Sequence, residues 1–122
     1  MAYSAISIVA PEKAKAGETV DLEVRITNLA AYTIYPVAVV RIDGIVLEGS
    51  YQPLVPQPYS GSTRSRYFSF VMPEKSVTVK AESWCESYYF EWRLDATASR
   101  SVSLEELAPA FSEFAIVDYR KV

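Results

Sequence analysis

Hydrophobic and polar residues alternate most cleanly in two stretches of this chain. In Val77-Thr78-Val79-Lys80-Ala81-Glu82, the side chains of Val77, Val79 and Ala81 fall on one side, and those of Thr78, Lys80 and Glu82 fall on the other. In the stretch 19–28, Val20, Leu22, Val24 and Ile26 alternate with Asp21, Glu23, Arg25 and Thr27. An extended chain needs a period of two when one face packs and the other meets water. Both stretches therefore predict strands. The first, which runs on to Trp84 and Cys85, is expected to lie centrally in an all-β domain.

The remaining apolar runs fit around these two. Residues 3–9 form a short strand closed by Pro11. Residues 12–18 read as a polar turn in which Gly17 is free to adopt positive φ. The stretch 28–33 turns the chain again. Residues 35–43 carry valine on both faces, which predicts a strand covered at least in part on both sides. Pro36 belongs at its start, where a missing N–H does least harm. Asp43-Gly44 is a hairpin signal, and 45–48 should pair back. With Pro53, Pro56 and Pro58, residues 49–61 read as an extended, exposed crossover loop. Residues 64–72 predict a strand with Phe68, Phe70 and Met72 inward, ended by Pro73. An aromatic hairpin tip at 86–90 follows the central strand. Residues 92–104 return as the last strand, with Val102 and Leu104 inward and a break near Asp95. About seven short strands at this turn spacing predict a two-sheet antiparallel sandwich with Greek-key connections. Stacking two sheets buries both inner faces. The expected core is Val20, Leu22, Val24, Ile26, Val37, Val39, Phe68, Phe70, Val77, Val79 and Val102.

Composition narrows the functional classes. The chain has 122 residues, half of them hydrophobic, which suits one domain with one real core. The net charge of −3 is small, and no Lys/Arg run exists, so nucleic acid and anionic membrane are poor partners. A single cysteine forms no internal disulfide. The start, Met1-Ala2-Tyr3-Ser4, lacks a basic region followed by an apolar stretch. No apolar run approaches the roughly 20 residues of a membrane span. The expectation is a product made without Sec-type export, located in a virion or in the cytoplasm of the producing cell.

Catalytic chemistry finds little support. There is no histidine, the commonest neutral-pH acid/base group and metal ligand. Cys85 therefore has no histidine partner, and its parity with Val77, Val79 and Ala81 predicts a buried thiol. The carboxylate pairs Glu82/Glu86 and Glu105/Glu106 read as solvated faces and termini rather than the two sides of a cleft. Asp43 and Asp95 are expected in turns, each capping its own backbone rather than binding calcium. No glycine-rich phosphate loop appears. The expectation is a non-enzyme with no catalytic residue, no cofactor and no metal.

Contact chemistry is richer, with 13% aromatic residues and nine tyrosines. Trp84 shares the parity of Thr78, Lys80 and Glu82, and Tyr88, Tyr89, Phe90 and Trp92 follow it closely. One reading is that Trp84 and Trp92 only cover a sheet face and a sandwich end. The other is a contact surface, since aromatics supply large area at low entropy cost. Beyond Leu104, Phe111, Phe114, Ile116 and Tyr119 give the tail more apolar surface than a free terminus usually carries. Their residue types favour a strand. It would either complete its own sheet or pair with a neighbouring subunit.

Two stretches also resemble a known family. Pro11-Glu12-Lys13-Ala14-Lys15-Ala16-Gly17-Glu18-Thr19-Val20, followed by Val24-Arg25-Ile26-Thr27-Asn28, resembles the opening of CARDB-type immunoglobulin-like domains. Phe68-Ser69-Phe70-Val71-Met72-Pro73, Val77-Thr78-Val79, Trp92-Arg93-Leu94-Asp95 and Val102-Ser103-Leu104 look like small relatives from prokaryotic viruses and mobile elements. The resemblance spans residues 4–106. It implies an all-β, immunoglobulin-like two-sheet antiparallel sandwich over 1–106, with 107–122 as a C-terminal extension or added strand. Such domains act as spacers, adhesive modules or virion parts, and they bring no catalytic residues. The expected function is a non-catalytic structural or assembly protein, a capsid-decoration or tail component of a virion. It would contact itself or scaffold subunits through protein–protein contacts as an oligomer or part of a larger assembly, without inserting into a membrane. The alternative is a cell-surface adhesion or glycan-binding module.

Overall fold

The computed structural model describes residues 2–47, 52–53, 61–86 and 92–105, and among these every regular element is a strand. In chain order they are β1 Ser4–Val9, β2 Lys13–Ala14, β3 Thr19–Asn28, β4 Val37–Ile42, β5 Ile45–Val46, β6 Gln52–Pro53, β7 Thr63–Val71, β8 Val77–Glu86 and β9 Trp92–Leu104. They form two sheets. The smaller has the order β1-β3-β7; the larger has β2-β9-β8-β4-β5, with β6 also pairing β4. The expected all-β two-sheet sandwich is observed. β8 is flanked by β9 and β4 in antiparallel register, which is the central place its alternation predicted.

The core follows the alternation in β3, β7 and β8. Val20, Leu22, Val24, Ile26, Phe68, Phe70, Met72, Val77, Val79, Ala81 and Val102 are buried together between the sheets. Each such aliphatic or aromatic side chain contributes about 1.5–3 kcal/mol on full burial. In β4 the expectation about faces was reversed. Ala38 and Val40 enter the core cluster, whereas Val37 is only half-buried and Val39 is buried outside that cluster. With valine on both faces, period-two parity could not choose between them; packing did. The double-sided covering expected for this strand is present.

Turn chemistry sets the poles of the sandwich. Asp43 and Gly44 both take positive φ, 50° and 85°, which is what a two-residue hairpin between β4 and β5 requires. The Asn28 side chain folds back on its own turn. Its Oδ1 accepts the Ala30 N–H, and its Nδ2 donates to the Tyr32 carbonyl. Residues 12–18, expected to be a turn throughout, contain β2, which runs parallel to β9 through Lys13↔Ser103 and Ala14↔Leu104.

Neither aspartate caps its own backbone as expected. Asp43 accepts the Thr78 N–H at 2.8 Å and pairs with Lys75 at 3.2 Å, pinning the start of β8. These two contacts lower its pKa. Asp95 lies in β9 rather than in a turn. There the register with β8 slips, so that Ser83 faces Ala96 and Trp84 faces Leu94. This β-bulge re-aims a side chain. The Asp95 carboxylate accepts the N–H groups of Tyr3 and Ser4 and the Ser4 hydroxyl, tying the first strand of the smaller sheet to the last strand of the larger one. Ser4 also bonds Ser83 at 2.9 Å beside Cys85. Cys85 is buried, as its parity predicted, and burial and the nearby Asp95 charge push its thiol pKa up.

Candidate protein-contact face

The outer face of the larger sheet is built from three strands in register. Val37, Trp84 and Leu94 form one cross-strand row, Val39, Glu82 and Thr97 the next, and Arg41, Lys80 and Ser99 the third. Directly paired side chains lie near enough to interact. Simple alternation predicts that this face meets water, and at Glu82 that prediction fails: the residue is 3% exposed. Its Oε2 pairs with Arg41 Nε at 3.1 Å and, more distantly, with Lys80 Nζ at 3.8 Å. Its Oε1 accepts the Trp84 indole N–H at 3.0 Å. Burial works to raise the Glu82 pKa, but the hydrogen bonds from Trp84 and Arg41, with the charges of Arg41 and Lys80, carry it below the ordinary carboxylate value.

This network shapes the apolar part of the face. Reaching Glu82, one pleat back along β8, draws the Trp84 indole toward the row that holds Val39. Val39 is 1% exposed although it lies on the outer side of the sheet. Among the described residues, Val37, Val39, Trp84 and Trp92 line a depression of about 240 Å³ on this face. On its β9 side, Trp92 and Leu94 stay 50% and 45% exposed. The depression thus has a fixed floor and a rim of exposed apolar surface. At the same pole, the turn after β3 exposes Leu29, Tyr32 and Tyr35, and Tyr32 stacks at a tilt on Tyr3.

Of the expected contact residues, Trp84 and Trp92 come together on this face. Tyr88, Tyr89, Phe90, Phe111, Phe114, Ile116 and Tyr119 lie outside the described residues. Sequence reasoning missed Val37, Val39, Arg41 and Glu82 as parts of the face. The signal available for the first two was the valine on both sides of β4. Among the described residues, no three His, Cys, Asp or Glu side chains gather as a metal ion would need, and no helix is long and apolar enough to cross a membrane.

No protein-family model matches the sequence, and no curated protein is similar to it. Solved structures are. The crystal structure of the CARDB domain of the PF1109 protein from Pyrococcus furiosus, in complex with di-metal ions, superposes with a TM-score of 0.64 at 15% identity over 84% of this chain and 87% of that one. The solution structure of the same domain gives 0.61 at 17% identity, covering 84% and 96%. The PKD domain of an M14-like peptidase from a Thermoplasmatales archaeon gives 0.55 at 16% identity, again covering 84% and 96%. At these identities the likeness is one of fold, and it agrees with the strand order and buried faces described above. The chain folds as a CARDB-type immunoglobulin-like β-sandwich.

Proposed function

We propose that this chain is a non-catalytic interaction module that binds a protein partner through the outer face of its larger sheet, as an assembly component of a virus particle or tail. The observation that carries the reading is the depression lined by Val37, Val39, Trp84 and Trp92, with Trp92 and Leu94 half-exposed at its rim. A folded domain gains nothing for its own stability from exposing Trp92 and Leu94, whereas an aromatic anchor beside an apolar pocket is typical of contact hot spots. The Arg41–Glu82–Trp84 network holds the floor rigid, so little order has to be imposed on binding. An apolar lining suits a partner's aliphatic or aromatic side chain better than a sugar, whose hydroxyls need hydrogen-bond partners. The structural neighbours are single CARDB and PKD domains, and a fold shared with such domains is compatible with a binding role.

The test places a photo-crosslinking residue at position 92 in the full chain, in cells that produce the particle. Cross-links to particle subunits or to other copies of this chain are the expected result. Cross-links to neither, together with specific binding on a glycan array that Trp92→Ala abolishes, would transfer the face to the adhesion reading.

A further inference from the structure

A second surface, separate from the Trp84–Trp92 face, follows from how β9 is paired. On one side β9 is covered by β8 along its length. On the other side its only partner among the described residues is β2, which reaches no further than Ser103 and Leu104. The N–H groups of Ser103 and Glu105 donate across this side to Glu12 and Ala14. Residues of the same parity turn their backbone N–H and C=O to the same side. Thr97, Ser99 and Ser101 therefore present their backbone groups to an edge that no described strand occupies, and all three are exposed. Above them the Asp95 bulge ends the regular stretch. The edge from Ala96 to Ser101 carries mostly small side chains and no proline, with Arg100 as its one charge and the Asp95 bulge at its end.

The chain supplies a segment of matching character. It continues for residues 106–122 after Glu105, and 111–122 includes Phe114, Ile116, Val117 and Tyr119. At about 3.3 Å per residue these twelve positions span roughly 40 Å, twice what a six-residue edge needs. The direction of exit favours the edge of another copy. Glu105 is still bonded to Ala14, so β2 stands between the departing chain and the open part of its own β9. A strand arriving from another molecule does not have to pass β2. Arg100, exposed on the edge, also offers a positive charge to Glu113 or Asp118 of the incoming segment. We propose that residues 111–122 of one copy add as a strand to the β9 edge of a second copy at Ala96 to Ser101, so that the chain assembles by strand exchange between its own copies. This β-augmentation combines ladder hydrogen bonds with side-chain fit, and a reciprocal pair would have the two-fold symmetry commonest among oligomers.

The experiment uses full-length chains in a Cys85→Ala background. One carries Ser99→Cys, and the other carries Ile116→Cys or Val117→Cys, so that both strand parities are sampled. Mild oxidation of the mixture is expected to yield a covalent heterodimer. Sedimentation of the unsubstituted chain should show concentration-dependent mass, and Ser99→Pro, which removes only an outward N–H, should weaken association at least about tenfold. If Ser99→Pro does not fold, Arg100→Glu takes its place with the same expected direction. A disulfide that forms only within a doubly substituted chain would overturn the proposal by placing the segment on its own domain. A monomeric mass at all concentrations with no cross-link would overturn it as well. Cross-links from position 92 to subunits other than this chain are untouched by either result, and they are the outcome that separates the two surfaces.

Discussion

Replacing Glu82 with glutamine tests the physical account of the outer face. Glutamine keeps the shape of the side chain and an oxygen for the Trp84 indole, so the perturbation is the charge facing Arg41 and Lys80. A hydrogen bond to a charged group contributes about 1.5–3 kcal/mol. The Glu82 side chain is 5% exposed, but those of Arg41 and Lys80 are 30% and 43% exposed, so water screens the pair in part. The expected cost of Glu82→Gln at pH 7 is therefore about 1.5 kcal/mol, at the low end of that range. The pH dependence follows from the direction of the shift. The folded pKa of Glu82 lies below the ordinary 4.5. A carboxylate with a depressed folded pKa adds stability above its unfolded pKa and loses it as pH falls through the folded one. The gap between the unsubstituted chain and Glu82→Gln should be full at pH 7 and should close progressively below 4.5. Urea unfolding followed by tryptophan fluorescence at a series of pH values measures it. A gap below about 0.5 kcal/mol at pH 7 would show that the buried carboxylate is not held by its charged partners. A gap that stays constant down to pH 3 would show that the charge is not what the variant removes.

Three further outcomes are expected. Phe70→Ala, which empties an aromatic site between the sheets, should cost about 3–5 kcal/mol in urea melts; a loss under 1 kcal/mol would mean that the core does not close around it. Asp95→Ala should cost about 2 kcal/mol, since two backbone N–H groups and a hydroxyl lose a charged acceptor. Amide exchange should then speed up at Ser4 far more than in β3, and equal acceleration in both would contradict the latch between the sheets. Trp92→Ala should leave the melting temperature nearly unchanged, because the ring is half-exposed, and weaken partner binding by about 2 kcal/mol or more. Trp84→Ala should lower both, because its indole is tied to Glu82; unchanged stability would separate Trp84 from the network.

The sequence by itself determined what depends on local periodicity. Val20 to Ile26, Phe68 to Met72 and Val77 to Ala81 have one apolar face each, and a strand with one apolar face has only one way to turn when a core is available. The two-residue turn at Asp43-Gly44 was legible for a similar reason, since few residues tolerate positive φ at successive positions. What the sequence could not decide was anything set by the neighbour across the sheet. Residues 37–40 are apolar at every position, so parity was silent, and only docking against β3 and β7 put Ala38 and Val40 inward. Glu82 has the parity of a wet residue, but its burial depends on Arg41 and Trp84, and Arg41 is brought opposite Lys80 only by the register of β4 on β8. Asp95 marked an irregularity in the alternation, yet its partners Tyr3 and Ser4 lie some ninety residues away in sequence. Local pattern records which face of a strand is apolar; register and the stacking of two sheets decide which polar groups meet, and those meetings shaped the outer face of this sandwich.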